Sequence, residues 1–351
     1  MIESIRIRNF RGLKECEVGG LTDVNVIIGR NGSGKSTVLE AIYLASSWAE
    51  PADPLRGLRK VDYVVQRRGG RGGWADYRDP LWFSKELERD IEVELRFRSS
   101  TTLRFRVPYA TSTSEPVFLE LGPDLYYNLH SDAVWKPATK QLYYDSTVRS
   151  RLPYWKEAEY LRGVVLLDSR LRVEGVESRV WSRVLDRRLD RLVVELIRGE
   201  YEPNAESIVF KPVGGRFVLA VTLSNTTVEV DALGDGARLA VVLASALTLL
   251  SGTAVLVEDP EVHQHPGGLS AVLRFALRLA RERSLQLFIT THSAELVNLV
   301  MRLCGELGLG ARLFFIERDH STGVAEVRTL ESLDVEVLQK IGFDPRLLHV
   351  L

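Results

Sequence analysis

The chain has 351 residues, 45% of them apolar and 26% charged, with 27 Gly and 13 Pro; these globular values exclude disorder, collagen and a simple coiled coil, and allow one large domain or two modest ones. Its 46 basic and 47 acidic residues nearly cancel, so contact with nucleic acid or an anionic membrane requires a local patch. Two cysteines, Cys16 and Cys304, are too few for a disulfide scaffold, and the charged first ten residues lack the apolar run of a signal peptide, which together predict a soluble cytoplasmic protein.

In chain order, Ile2, Ile5, Ile7 and Phe10 with Arg6 and Arg8 between them predict an opening strand, and Val24 to Ile28 a fully buried one. Glycines follow, then a helix from Lys35 to about Ser47. Alternating stretches at 91–98 and 102–107 predict an antiparallel hairpin. Residues 126–160 concentrate aromatic side chains, among them Tyr126, Trp135, Tyr144 and Trp155. An Arg-rich helix is expected at 174–199, then short strands near 207–211, 216–222 and 226–230. The rest alternates: helix 236–250, strand 254–258, helix 268–283, strand 285–290, helix 293–303, strand 312–317. Residues 239–257 carry no charge over a length close to a membrane span, but Ser251-Gly252-Thr253 interrupts the run, which therefore divides into a buried helix, a turn and a buried strand.

Three motifs carry chemistry. Gly29-Arg30-Asn31-Gly32-Ser33-Gly34-Lys35-Ser36 fits the G-x-x-x-x-G-K-S/T phosphate loop and stands between a buried strand and a helix, where its N–H groups and the helix dipole can cradle an oxyanion. Lys35 supplies a mobile positive charge to the β- and γ-phosphates, Ser36 a hydroxyl ligand for Mg²⁺, and Thr37 completes the expected nucleotide-binding residues Gly29 to Thr37. After the strand at 254–258, Glu258 and Asp259 stand at a carboxyl end: Glu258 is expected to hold the Mg²⁺ shell and Asp259 to orient or deprotonate an attacking water. His292 lies just past the next strand, at the same sheet edge, and could donate to the γ-phosphate. His263 and His265 fit no closed zinc set.

This series, with Ile5-Arg6-Ile7-Arg8-Asn9-Phe10-Arg11-Gly12 and Leu233-Gly234-Asp235-Gly236-Ala237-Arg238, resembles the ABC-type ATPase heads of the SMC, RecF and OLD group, including compact AAA_15/AAA_21-type ATPases. The resemblance implies an α/β P-loop fold with a mixed central sheet, an antiparallel β subdomain and a short helical lobe. It places the ATPase core at 1–140 and 206–351 and an inserted helical lobe at 141–205. It also implies ATP and Mg²⁺ as ligands and an ATP-dependent homodimer, in which the signature residues Gly234, Asp235 and Gly236 of one copy meet the γ-phosphate bound by the other. Arg11 and Asn31 resemble further nucleotide contacts; Gln66 and Gln141 are both candidates for the lobe-linking Gln.

This sequence departs from the pattern in carrying Gly234 for the signature Ser, Glu258 at the metal position and a shorter Asp259 for the catalytic Glu, which predicts slow hydrolysis. No long coiled coil and no Toprim nuclease domain is recognisable. The expectation is a motor or switch in DNA maintenance or phage defence, working with a separate nuclease or other effector and without a membrane partner. The alternatives are a nucleotide-responsive module with negligible turnover and a transporter ATPase subunit. DNA contact rests on the aromatics at 126–160 interleaved with Lys136, Lys140, Arg149, Arg151 and Lys156, a pattern that a small lobe's core also explains.

Overall fold

The structure is a computed structural model that describes residues 1–111, 115–331, 334, 335, 344 and 346. The chain begins with β1 (Ile2–Phe10), β2 (Leu13–Gly19), β3 (Val24–Gly29), α1 (Lys35–Ser46), α2 (Lys60–Gln66) and α3 (Trp74–Tyr77). Six strands follow in succession: β4 (Ile91–Phe97), β5 (Thr102–Val107), β6 (Phe118–Gly122), β7 (Leu125–Tyr127), β8 (Ala133–Lys136) and β9 (Gln141–Tyr144). Next come α4 (Trp155–Arg162), β10 (Val165–Leu167), α5 (Val173–Arg179), α6 (Trp181–Asp186), α7 (Asp190–Glu200), β11 (Ala205–Val213), β12 (Arg216–Leu223) and β13 (Thr227–Glu229). The chain continues through α8 (Asp235–Thr248), β14 (Ala254–Glu258), α9 (Pro266–Arg283), β15 (Gln286–Thr290), α10 (Ala294–Leu307), β16 (Ala311–Arg318) and β17 (Val324–Glu331).

One sheet of 14 strands runs β10-β14-β15-β3-β16-β17-β2-β1-β4-β5-β6-β7-β8-β9. Its first five strands are parallel, while β1, β2 and β4 to β9 pair antiparallel in sequence. This is the mixed α/β sheet with an antiparallel extension that the sequence predicts. The parallel half is buried on both faces because successive side chains point to opposite sides. Ile27, Leu256, Phe288 and Phe314 enter one core with α1, whereas Val26, Val255, Leu287 and Leu313 enter another with α8, α9 and α10. A second sheet, β11-β12-β13, packs on α5 and α7.

Residues 141–205, expected as a helical insertion, hold β9 and β10 besides four helices, and β10 pairs parallel to β14 in the main sheet. The single helix expected at 174–199 is three. Arg188 adopts φ 54°, with Leu189 N–H donating to Val184 O (2.9 Å) and Arg188 N–H to Leu185 O (2.9 Å). These two bonds form a Schellman stop in which an arginine takes the glycine position. None of the described helices is long and apolar enough to cross a membrane; residues 239–257 divide into most of α8, a turn and most of β14. Cys16 and Cys304 are both buried free thiols.

Candidate functional site

β3 stops at Gly29, and the chain must reverse into α1 within a few residues. Three glycines supply the required backbone, with φ of 152° at Gly29, 77° at Gly32 and 108° at Gly34. A methyl group at Gly29 would stand 2.3 Å from the Ile316 carbonyl oxygen, so the close approach of β3 to β16 excludes a side chain there. The Lys35 ammonium curls back and donates to Gly29 O (2.9 Å) and Arg30 O (3.1 Å). Burial pushes it below the ordinary lysine value, against the opposing pull of Asp259 and Glu258. The Ser33 hydroxyl is buried with no hydrogen-bond partner among the described residues. A glycine cradle at a helix N-terminus and, among the described residues, a buried hydroxyl without a partner and an ammonium held by two carbonyls fit a phosphate group. Ser36 is half-buried in the first turn of α1, Thr37 is buried and Arg30 and Asn31 are exposed.

The strand register brings the remaining chemistry to the same edge, since Glu258 pairs with Thr290 and Thr290 with Ile27. Asp259 takes φ 46°, its N–H donates to Thr290 O (3.1 Å) and it accepts from Thr290 Oγ1 (3.4 Å). Burial, reinforced by Glu261 and Glu258 and opposed by Lys35, pushes its carboxyl up to about 6. Glu261 is a third carboxylate, which the sequence marks only as part of a motif. One oxygen accepts from Thr291 Oγ1 (2.6 Å) and from His292 N–H (3.1 Å); the other is buried without a partner among the described residues. Partial burial and the neighbouring Lys35 ammonium hold the His292 imidazole below its ordinary value, with Glu261 opposing. A cavity of about 690 Å³ opens between Arg30 and Asn31 on one side and Thr291, His292 and His320 on the other. Arg346 reaches into this region and donates to His292 O (2.9 Å).

Glu258 has a partner that the sequence does not announce. Its carboxylate accepts from the Arg67 guanidinium, which follows α2. Arg67 also donates to Glu40 (2.9 Å), a fully buried carboxylate on α1 that takes Arg11 (3.0 Å) and Arg68 (2.9 Å) as well. From Asp168, 3.4 Å from Arg67, the network continues to Arg56 (2.9 Å) and Asp53 (3.0 Å). Arg11, expected at the nucleotide, is thus engaged by Glu40 and by Val64 O. Gln66 adjoins Arg67 beside the site, whereas Gln141 lies on β9 at the far edge of the sheet.

The signature residues sit elsewhere on the surface. Gly234 precedes α8 with φ 88°, and Gly234 and Asp235 are exposed. The segment is held by the turn after β14: Gln264 Nε2 donates to Gly236 O (2.9 Å), and His263 lies 3.9 Å from Asp235. A methyl group at Gly236 would stand 3.0 Å from His263 O. His265 caps α9 by accepting from Gly267 N–H (3.3 Å).

The parallel strand order, the glycine loop and the acids at the facing strand end define a P-loop ATPase head of the ABC type, in the group that includes SMC and RecF. The chain belongs to the AAA_21 family, described as "AAA domain, putative AbiEii toxin, Type IV TA system", whose sequence model matches residues 24–298. It is 19% identical over 355 residues to an ATP/GTP phosphatase of Helicobacter pylori, covering 91% of this chain and 93% of that protein. It is 43% identical over 72 residues to a DNA double-strand break repair Rad50 ATPase of Pyrococcus abyssi, a local match covering 20% of this chain and 8% of Rad50. In fold it is similar to an SmcHead bound to the C-winged helix domain of ScpA, with a TM-score of 0.55 and 14% identity over 94% of this chain and 98% of that one.

Proposed function

We propose that this chain binds and hydrolyses ATP with Mg²⁺, closes into a dimer on binding and reopens after hydrolysis. What carries the reading is the convergence at one sheet edge of a glycine loop with a retracted lysine and three carboxylates, Glu258, Asp259 and Glu261. Backbone N–H groups and Lys35 hold the phosphates, and Ser36 and Glu258 would hold Mg²⁺. When bound there, the metal would neutralise negative charge on the phosphates. Asp259, raised towards neutrality by its own burial and then by the neighbouring Glu261 and Glu258, accepts the proton of the attacking water, and Thr290 fixes its orientation. His292, kept neutral, donates towards the γ-phosphate. Gly234 and Asp235, exposed at the start of α8, with Gly236 half-buried behind them, are suited to meet the nucleotide of a second copy.

The output of such a cycle is conformational, and the proposed setting is DNA maintenance or phage defence with a separate effector. The solved head bound to a winged-helix domain and the local likeness to a break-repair ATPase support that setting. So do the separately exposed rings of Tyr144 (69%) and Trp155 (42%) in a stretch carrying Lys136, Lys140, Arg149, Arg151 and Lys156, whereas Tyr126 and Trp135 of that stretch are buried in a small core. A second reading, a nucleotide-responsive module with little turnover, is favoured by the short Asp259. Light scattering with and without ATP·Mg²⁺ tests the first reading: the wild type should double in mass and Lys35→Ala should stay monomeric. ATP uptake without any change of mass would refute dimer closure, and turnover no higher than that of Asp259→Asn would favour the module.

A further inference from the structure

Among the described residues, Arg67 is the one guanidinium that joins the acid strand to the phosphate-loop helix. Its Nη1 donates to Glu40 on α1, and its Nη2 donates to Glu258 at the end of β14 and lies 3.4 Å from Asp168 after β10. Its side chain is 4% exposed, against 19% for Glu258. The connected network is balanced in charge, with Arg11, Arg56, Arg67 and Arg68 facing Glu40, Asp53, Asp168 and Glu258. A divalent cation beside Glu258 and Lys35 breaks that balance while Arg67 keeps its hold, because the new charge meets a carboxylate already neutralised. Arg67 has somewhere to go. Glu40 and Asp168 together offer it two carboxylates without Glu258, and its Nε has no partner among the described residues to resist a small swing.

We propose that Arg67 is a positioning residue that occupies Glu258 in the metal-free protein and that Mg²⁺ must displace, so that the metal requirement for nucleotide binding is set by this one ion pair. The inference rests on the nucleotide reading above. It also gives α2 a means of sensing the metal, since Arg67 directly follows its last residue.

The test is binding of a ribose-labelled fluorescent ATP to the full chain, with Mg²⁺ titrated at fixed nucleotide, for wild type, Arg67→Gln, Arg67→Lys and Glu258→Gln. Arg67→Gln should reach its half-maximal Mg²⁺ response at about tenfold less metal than wild type, the scale of one charge-assisted hydrogen bond, with metal-free affinity unchanged within about twofold. Arg67→Lys, whose single ammonium cannot bridge three carboxylates, should fall between them, and it carries the comparison if Arg67→Gln does not fold. Glu258→Gln should flatten the Mg²⁺ response. An unmoved or raised midpoint in both Arg67 variants overturns the proposal, as does an equal loss of affinity with and without metal, which marks a purely structural residue. Wild type that takes up no nucleotide defeats the nucleotide reading itself, a result distinct from bound nucleotide with an unmoved midpoint.

Discussion

Replacing Glu40 by Gln keeps the side chain's shape and removes one negative charge from a site with no exposed surface. Burial alone would push this carboxyl up; Arg11, Arg68 and Arg67 together overcome it and hold Glu40 below the ordinary value. The three partners do not lose equally. Arg68 is 41% exposed and can turn to water, whereas Arg11 and Arg67 are 8% and 4% exposed and cannot. The variant therefore strands positive charge in the interior, a change that costs about 3–5 kcal/mol out of the roughly 5–15 kcal/mol typical of a domain. The control is Glu17→Gln, which breaks the pair with Arg6, where the partners are 40% and 54% exposed and the expected loss is about 0–1 kcal/mol. Urea unfolding followed by tryptophan fluorescence measures both, since Trp48, Trp82 and Trp181 lie wholly inside. Equal midpoints for the two variants, or a loss under about 1 kcal/mol for Glu40→Gln, would show that the network is not held by its charges.

Three further outcomes follow from the same geometry. Lys60 is fully buried, donates to Ser46 Oγ (2.9 Å) and is pushed down to about 8 by burial. The folded protein releases this proton before the unfolded chain does, so stability should rise as pH climbs from about 8 towards 10.5 and stay flat in this respect below 8. Lys60→Met should remove that slope and gain on the order of 3 kcal/mol at neutral pH, less one hydrogen bond; Ser46 Oγ keeps its own bond to Tyr43 O. Thermal melts of wild type and Lys60→Met at pH 7 and pH 10 decide it: the variant's advantage should shrink as pH rises, the opposite slope from the buried Cys16 and Cys304 thiols being common to both proteins, and an advantage that holds or widens contradicts the sign. Asp259→Asn should lower ATP turnover about a hundredfold or more with nucleotide affinity unchanged within about twofold, as read by phosphate release and equilibrium binding. Gly29→Ala should weaken ATP binding at least about tenfold, because the strand–loop junction has to move; unaltered affinity would mean that the 2.3 Å approach to Ile316 O is relieved at no loss.

How much of this was legible depended on range. Val24–Ile28, 254–257 and 286–289 read as buried strands because both faces of the parallel half are covered, which leaves uninterrupted apolar runs. The phosphate loop was legible because one local turn fixes its residue types. The stop at Arg188 was not, since glycine is the residue that announces a left-handed helix end and here an arginine takes it. β10 has three residues, in an apolar run of four from Val164 to Leu167, too short to separate from a loop or helix end, and gains its place by pairing with β14. The partner of Glu258 was the least visible feature. Arg67 is 191 positions away, and no local pattern marks an arginine beyond a short helix as the partner of a strand-end acid.

Eight charged side chains, most of them buried, are a poor way to stabilise a protein, since well-packed apolar side chains of the same volume often do as well or better. What such a network provides is registration. Glu40 belongs to the helix that carries the phosphate loop, Arg67 follows α2, Asp168 follows β10 and Glu258 ends β14. Each pair tolerates only small displacements before a buried charge is left unpaired, so the loop helix and the acid strand are locked in relative position to within the reach of a hydrogen bond. A change of charge at Glu258 is then felt at once by α1 and α2, and the antiparallel half of the sheet, built on β1 against α1, is joined to the site through the same helix.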